Sequence, residues 1–313
     1  MDITKHKLAI DFMGKRRFAA TISTLLVLVA IGSLVTRGLN FGIDFTGGTL
    51  IEVGYPQPVD LSEIRPLLEN SGFEGAQAQF FGTSKDVLIR IAPQESRTSA
   101  KLSDEVLDTL RKQNDKVEMR RVEFVGPQVG EELTEQGGLA MIYALIGILI
   151  YIMIRFHIRF APGAVIALIH DVLIIVGVFS VWQIDFDLTV LAALLAVIGY
   201  SLNDTIVVFD RIRENFRKMR KGTAEEIINQ SLNQTLSRTL ITSLTTLLVV
   251  IALFLIGGEV IHSFALALLL GIIVGTYSSI YVASSATLIL GISKSDLLQH
   301  RKEGTGKAGE EAP

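Results

Sequence analysis

Six apolar segments constrain what this chain can fold into, because each approaches or exceeds the roughly 20 residues that a helix needs to cross a bilayer. They occupy residues 18–36, 138–156, 161–181, 188–209, 238–257 and 264–292. Of the 313 residues, 49% are hydrophobic, and the mean hydropathy is +0.45. Clustered apolar runs with a positive mean hydropathy indicate a polytopic membrane protein rather than one or two soluble domains.

The first apolar segment has two interpretations, because it follows the polar and basic residues 1–17. A cleaved signal peptide would have a shorter apolar region, of about 7–15 residues, and a small-residue cleavage site after it. Segment 18–36 is longer, and no such site follows it. We therefore favour an uncleaved first transmembrane helix.

Residues 37–137 form the one long polar insertion between the apolar segments. Runs rich in β-branched residues predict strands, and apolar residues at helical spacing predict helices. The predicted elements are strand 49–55, helix 61–71, strands 76–81 and 86–92, helix 99–114 and strand 117–125. This β-α-β-β-α-β order is the ferredoxin-like arrangement, so the fold class is six transmembrane helices plus one external α+β ferredoxin-like domain.

The distribution of Lys and Arg predicts the orientation in the membrane. The N-terminal segment is basic, and so are 155–159, 211–221 and 294–302, whereas the turns 182–187 and 257–262 contain no Lys or Arg. Both termini are therefore expected in the cytoplasm and the 37–137 domain outside. Segment 210–237 is basic and amphipathic, as in a helix on the membrane surface. The Gly- and Glu-rich tail 293–313 is expected to be cytoplasmic and disordered.

Asp204 lies in the apolar sequence LTVLAALLAVIGYSLNDTIVVFD of the fourth segment. An ionised carboxylate in hydrocarbon costs from roughly 3 kcal/mol upwards, so such a group faces protein or water and has a partner. The functional interpretation is a carboxyl group that takes up and releases a proton. The alternative is a hydrogen bond between helices that only fixes their packing. Ser201, Asn203 and Thr205 could support either role.

His170 and Asp171 lie near the middle of the third segment. A histidine titrates near neutral pH, and two adjacent groups can form a relay. Adjacent residues on a helix point about 100° apart, which argues against one narrow shared face. We assign Asp171 to the polar core of the bundle and leave the role of His170 open. Gly271 and Gly275 form a G-x-x-x-G pattern, which predicts close helix packing.

Several chemistries are disfavoured by what the sequence contains. It has no cysteine, which excludes disulfides and thiol catalysis, and its five histidines have no metal-ligand spacing. A phosphate loop at Gly47 and Gly48 lacks the required Lys-Ser/Thr. The basic run 211–221 adjoins a span, so topology and lipid contact explain it better than nucleic acid. No motif suggests an enzyme, a metal or a cofactor.

Three motifs resemble the SecD/SecF family of protein-export membrane proteins, in the resistance–nodulation–division (RND) superfamily. They are FGIDFTGGT at 41–49, GYSLNDTIVVFDRIREN at 199–215 and NQSLNQTLSRTLITSLTT at 229–246. The second motif resembles the SecF version, since the SecD version carries Glu where Asp210 stands. The resemblance covers residues 15–295 approximately. We interpret Asp44, Gly47 and Gly48 as a rigid joint between the first span and the external domain.

The resemblance implies a bacterial inner-membrane subunit that uses the proton motive force to assist Sec-dependent protein translocation. Protons are the coupling ion, and the implied partners are SecD, the SecYEG channel, YajC, preproteins and membrane lipids. In the family, the residues matching Asp204 and Arg238 line the proton path. Because Arg238 keeps its proton, it would serve as the counter-charge to Asp204, and we place Asp171 in the same relay.

Two other functions fit the composition. One is half of an RND-type exporter of small molecules or lipids, with the same membrane chemistry and a different cargo. The other is a membrane scaffold in which the buried charges only fix helix packing. Small-molecule RND pumps have two large external insertions in one long chain, whereas this chain has one modest insertion and six spans. This favours the export accessory and requires a partner half.

Overall fold

The computed structural model describes residues 10–73, 75–94, 98–156, 160–219 and 221–292. The predicted tail 293–313 and the first nine residues of segment 1–17 lie outside the described residues. In chain order the elements are α1 (Arg16–Arg37), β1 (Asn40–Phe41), α2 (Ile43–Thr46), β2 (Gly48–Gly54), α3 (Leu61–Asn70), β3 (Gln77–Phe81), β4 (Thr83–Ile91), α4 (Ser99–Arg111), β5 (Glu118–Val125), α5 (Pro127–Arg155), α6 (Ala161–Trp182), β6 (Asp185–Phe186), α7 (Leu188–Lys218), α8 (Ala224–Ile256), α9 (His262–Ser278) and α10 (Ser284–Ile289). A 3-10 turn, Glu259–Ile261, precedes α9, and a π-helical turn, Ser279–Ala283, joins α9 to α10.

Within the described residues, six helical segments are long and apolar enough to cross a membrane, which confirms the predicted number of spans. They are α1, α5, α6, α7, α8 and the run Glu259–Ile289. Helices α7 and α8 both begin at a side-chain cap. The Asp187 carboxylate accepts from the Val190 N–H at 2.8 Å at the start of α7, and Thr223 and Glu226 form a capping box at the start of α8.

Helix α7 lies inside the bundle and packs against α6, α8 and α9. Its closest neighbour is α9, where Gly271 and Gly275 face it. A Cβ atom on Gly271 would overlap the Val197 side chain, and one on Gly275 would lie 3.0 Å from the Cβ of Ser201. The G-x-x-x-G pattern therefore brings these two helices together as predicted, because only hydrogen leaves room for the opposite side chains.

The α/β domain consists of β2–β5 with α3 and α4. Its strand order is β3-β4-β2-β5 with every neighbouring pair antiparallel. Ile51 in β2 is aligned with Ile89 in β4 and Val122 in β5. The core residues are apolar side chains from the strands and both helices, namely Ile51, Val53, Ile64, Leu68, Phe73, Val87, Ile89, Ile91, Val106 and Leu110. The predicted β-α-β-β-α-β order is observed.

Two titratable groups of the α/β domain have pKa values that are shifted by their surroundings. The Asp60 carboxylate caps α3 by accepting from the Ser62 N–H at 2.8 Å, and that hydrogen bond lowers the pKa of Asp60. The Glu63 carboxylate in the first turn of α3 accepts a hydrogen bond from the Gln113 amide. Burial raises the pKa of Tyr55 to about 12. At neutral pH Asp60 is therefore ionised and Tyr55 is neutral, as each group would be in water.

The predicted amphipathic segment 210–237 is not a separate element on the membrane surface. Helix α7 continues through it to Lys218, and α8 begins at Ala224 rather than at 238. Ile227, Ile228 and Leu232, on the apolar side of this segment, are buried against protein in a cluster with Phe12, Phe209 and Phe216. The segment is amphipathic as predicted, but its apolar face packs on the end of the bundle.

Two other predicted boundaries differ from the structure. Residues 127–137, assigned to the external domain, form the beginning of α5, whose helix starts at Pro127 directly after β5. Glu131, Glu132 and Glu135 lower the hydropathy there and hid the helix. The last span is not one regular α-helix, because the π-helical turn interrupts it after Ser278.

Candidate functional site

Asp204 lies in α7 and is buried, with 7% of its surface exposed. Hydroxyl groups from two other helical segments hold its carboxylate. Thr239 of α8 donates to Oδ1 at 2.7 Å, and Ser279 of the π-helical turn donates to Oδ2 at 2.6 Å. The carboxylate therefore joins three segments of the bundle through two short hydrogen bonds.

A second buried acid, Asp171 in α6, lies in a separate set of hydrogen bonds. Its Oδ2 accepts from Ser201 of α7 at 2.6 Å and from Ser278 of α9 at 2.7 Å. The Nδ1 of His170 lies 3.0 Å from Oδ1, and its Nε2 lies 3.1 Å from the Ser23 hydroxyl of α1. Both residues are buried, so the angle between adjacent side chains did not separate them as expected. His170 thus belongs to the same polar cluster as Asp171.

Two consecutive serines connect the two acids. Ser278 donates to Asp171 and Ser279 donates to Asp204. The π-helical turn begins at Ser279, and the Ser284 hydroxyl donates to the Ser279 carbonyl at 3.2 Å. A π-helical turn widens the helix locally and is frequent at functional sites. Here it begins at the point where two consecutive hydroxyls reach different carboxylates.

Arg238 and Asn203 lie outside this polar cluster. Both are exposed in the single chain and line a cavity at the end of the bundle opposite the α/β domain. Among the ion pairs of the described residues, none joins Asp204 to Arg238, although Thr239, the next residue after Arg238, binds Asp204. Thr205 is buried beside Asp204. The predicted pairing of the arginine with the acid therefore stays a prediction.

Hydroxyl donors on the last span and on α1 also belong to this cluster, and they were not predicted. Tyr277 donates to the Ala19 carbonyl at 2.8 Å, and its ring stacks on His170 with centroids 6.2 Å apart. Its hydroxyl also lies 3.0 Å from that of Ser23. The run Thr276–Ser279 is polar within an otherwise apolar span. That run, placed just after the G-x-x-x-G pattern, was the available signal.

The predicted structural joint lies where the α/β domain meets the bundle. Asp44 in α2 accepts from the Leu188 N–H at 2.9 Å, at the first residue of α7. Gly47 and Gly48 both have positive φ, and a Cβ on Gly48 would lie 2.5 Å from the Ile91 carbonyl oxygen. Glycine alone tolerates this backbone without strain. The backbone therefore makes a tightly packed turn at these residues, where the chain enters β2.

A second set of contacts holds the sheet to the turn between α6 and α7. Asp185 forms an ion pair with Arg90 of β4 at 3.0 Å and accepts from Gln79 of β3 at 2.8 Å. The Asn40 amide donates to the same carboxylate at 2.6 Å, and β1 pairs with β6 in parallel. The α/β domain is thus fastened to the bundle by polar side chains as well as by the backbone.

The arrangement suits proton uptake and release better than bond-breaking chemistry. Two buried carboxylates are held by hydroxyls and one imidazole, and no described cation forms an ion pair with Asp204. A carboxylate in such surroundings is stabilised by its donors when ionised and keeps an acceptor oxygen when protonated. In the described part of the chain, no group of three or more His, Asp or Glu side chains could hold a metal ion.

Comparison with known proteins identifies close relatives. Residues 105–293 match the family described as protein export membrane protein SecD/SecF, C-terminal, and residues 32–59 match the SecD/SecF GG motif. Protein translocase subunit SecF of Vibrio alginolyticus is 54% identical over 99% of both chains. The SecF subunit of Escherichia coli O157:H7 is 48% identical, over 95% of this chain and 92% of its own.

The fold has a counterpart among solved structures. The crystal structure of SecDF, a translocon-associated membrane protein from Thermus thermophilus, superposes with a TM-score of 0.83 at 38% identity. The match covers 92% of this chain but 39% of that SecDF chain. A second SecDF structure, in a super-membrane-facing form, gives a TM-score of 0.67 at 39% identity. This chain therefore corresponds to less than half of a fused SecDF protein.

Proposed function

The chain belongs to the SecF subunits of the SecD/SecF family of protein-export membrane proteins, and on this premise we propose that it uses the proton motive force to assist Sec-dependent protein translocation. It does so as one half of a complex with SecD. The proposal is supported by the coverage of the relatives and by the SecDF chain, of which this chain spans 39%. SecYEG, YajC and the translocating preproteins are the further partners that we propose.

The buried Asp204 is the observation that carries the proton-coupled part of the proposal. Protonation removes its charge, which weakens the hydrogen bonds from Thr239 and Ser279, because a hydrogen bond to a charged acceptor is the stronger kind. The helices that carry these donors are then free to shift. Asp171, held by Ser278 beside Ser279, responds to the same shift. Arg238 acts as the counter-charge when a moving helix brings it to the acid.

The proposed orientation places both termini in the cytoplasm and the α/β domain outside the cell. It is supported by the basic residues that gather at the end of the bundle opposite that domain, on α1, α5 and α7. We class the α/β domain as ferredoxin-like, because its element order is that of this arrangement. Held by the joint, it would contact a chain that emerges from the channel.

The test uses membrane vesicles that contain the complex and a preprotein, with and without a proton gradient. Asp204→Asn keeps the size of the side chain and removes its ability to ionise. We expect this variant to copurify with SecD at the normal level and to lose the gradient-dependent part of translocation. Asp115→Asn, an exposed position in the α/β domain, is the matched control and should keep both.

The two parts of the proposal can fail separately. Full gradient-dependent translocation by the Asp204→Asn variant would remove Asp204 from proton coupling and leave membership of the complex intact. Purification of the wild-type chain from native membranes without SecD or the SecY channel would contradict the proposed partners.

A further inference from the structure

A cavity of about 720 Å³ lies at the end of the bundle opposite the α/β domain, between α5, α7 and α8. Its charged lining is predominantly basic. The cations are Arg155, Arg211, Arg213, Arg217, Lys218 and Arg238, and the acids are Asp210 and Glu214. Six positive charges against two negative ones give the lining a net charge of +4. The proposed proton chemistry at Asp204 does not require so strong an imbalance.

The acids of the cavity are already engaged. Asp210 pairs with Arg155 at 3.3 Å, and Glu214 pairs with Arg211 at 2.8 Å as well as with Lys218. The ion pairs of the described residues leave Arg213, Arg217 and Arg238 without a carboxylate partner. A guanidinium group does not lose its proton in proteins, so Arg213 and Arg217, about one turn apart on α7, repel each other unless an anion lies between them.

The uncharged residues of the lining indicate which class of anion the cavity can bind. Ile206 and Val207 of α7 form an apolar wall on the side toward the α/β domain, and Asn203 lies one turn nearer the start of the same helix. The guanidinium groups follow on the next turns of α7, toward the end of the helix. A cationic mouth next to an apolar wall fits an amphipathic anion better than a free ion or a peptide carboxylate.

From these features we propose that the cavity binds an anionic phospholipid, with its phosphate between the guanidinium groups of Arg213 and Arg217 and its acyl chains along Ile206 and Val207. Arginine binds phosphate oxygens in a bidentate manner, and basic pockets between transmembrane helices bind acidic lipid headgroups. The helices around the cavity are long and apolar enough to cross a membrane, and a bilayer around them would supply phospholipid. This inference is independent of proton coupling.

The experiment measures lipid retained by the purified full chain in detergent by native mass spectrometry. Phosphatidylglycerol is the probe, and phosphatidylcholine is the zwitterionic reference. The test variant is the double substitution Arg213→Gln and Arg217→Gln. The matched control is Lys15→Gln with Arg17→Gln, two exposed cations at the same end of the bundle that lie outside the cavity. The two variants lose equal charge, and unchanged circular dichroism establishes that both are folded.

We expect the wild type and the control to retain phosphatidylglycerol in preference to phosphatidylcholine, and the cavity variant to bind it about tenfold more weakly or worse. Equal losses in both variants would reduce the effect to general surface charge and overturn the site. If inorganic phosphate displaced bound phosphatidylglycerol as effectively as added lipid does, the acyl chains would not contribute to binding, and the proposed contact with Ile206 and Val207 would be wrong. If the wild type retains no phosphatidylglycerol, the lipid site is overturned. If, in addition, SecD copurifies from membranes with the wild type and the control but not with the cavity variant, the cavity is a contact site for the partner protein.

Discussion

The hydroxyl of Ser279 gives a direct test of whether Asp204 changes its charge. Replacing Ser279 with Ala removes one of the two hydroxyl donors to the carboxyl group. A hydrogen bond to a charged group contributes about 1.5–3 kcal/mol net, and one between neutral groups about 0.5–1.5 kcal/mol. The variant should therefore lose about 2 kcal/mol of the free energy of unfolding while Asp204 is ionised and about 1 kcal/mol while it is protonated. The loss should be larger at alkaline than at acidic pH.

Unfolding can be followed by helical circular dichroism in mixed micelles of dodecyl maltoside and SDS, at acidic and at alkaline pH. Ser285→Ala is the matched control, because the Ser285 hydroxyl oxygen is buried without a hydrogen-bond partner within the described part of the chain. Removing an unpaired buried hydroxyl should be neutral or slightly stabilising at both pH values. The two serines lie in the same interrupted helix, so general effects of substitution there are shared.

The Asp204→Asn background completes a double-mutant cycle. Without an ionisable group at position 204, Ser279→Ala should cost about 1 kcal/mol at both pH values. If Ser279→Ala in the wild-type background costs the same at acidic and alkaline pH, Asp204 keeps one protonation state across that range. The proton-coupled reasoning would then be refuted, whatever the effect on stability.

Three further predictions concern packing and the joint. Gly271→Ala inserts a methyl group against α7 and should lower the free energy of unfolding by about 1–3 kcal/mol, whereas Gly199→Ala meets open space and should be neutral or stabilising; micelle unfolding compares the two. Gly48→Ala should cost more than about 1 kcal/mol, since φ is +125° and the Cβ would meet the backbone of β4; thermal denaturation of the purified chain measures it. Asp185→Asn removes the ion pair to Arg90, so limited proteolysis near the α6–α7 turn should be faster; an unchanged rate would show that this ion pair does not fasten the domain.

The spans and the strands of the α/β domain were predictable because each has a strong local signal. Long apolar runs and alternating β-branched residues are visible without tertiary information. The start of α5 was not, because Glu131, Glu132 and Glu135 break the apolar run although the helix continues. Its first turns pack on α2, where Gly130 approaches Phe45 and Gly47. A helix can therefore extend beyond its apolar span when another part of the chain supports it.

The acids of the site and one donor, Ser201, were visible in the sequence, but the donors on the last span were not. An Asp within an apolar run stands out, because ionisable residues are rare there. Ser278 and Ser279 stand out only as part of the polar run Thr276–Ser279, since a single serine is common in transmembrane helices as a packing residue. The π-helical turn that begins at Ser279 has no simple sequence signal either. The link between Asp171 and Asp204 was therefore available only from the structure.

Helix α7 offers a direct mechanical connection between the buried acids and the α/β domain. It carries Asp204 and Ser201, whose hydrogen bonds reach α6, α8 and the π-helical turn. At its other end, the Leu188 N–H donates to Asp44, which is followed after two residues by the glycine pair that enters β2. Strand β2 is central in the sheet. A change of charge at Asp204 that displaces α7 along its axis would therefore act on the domain at this joint and at the neighbouring contacts of Asp185 with Arg90 and Gln79.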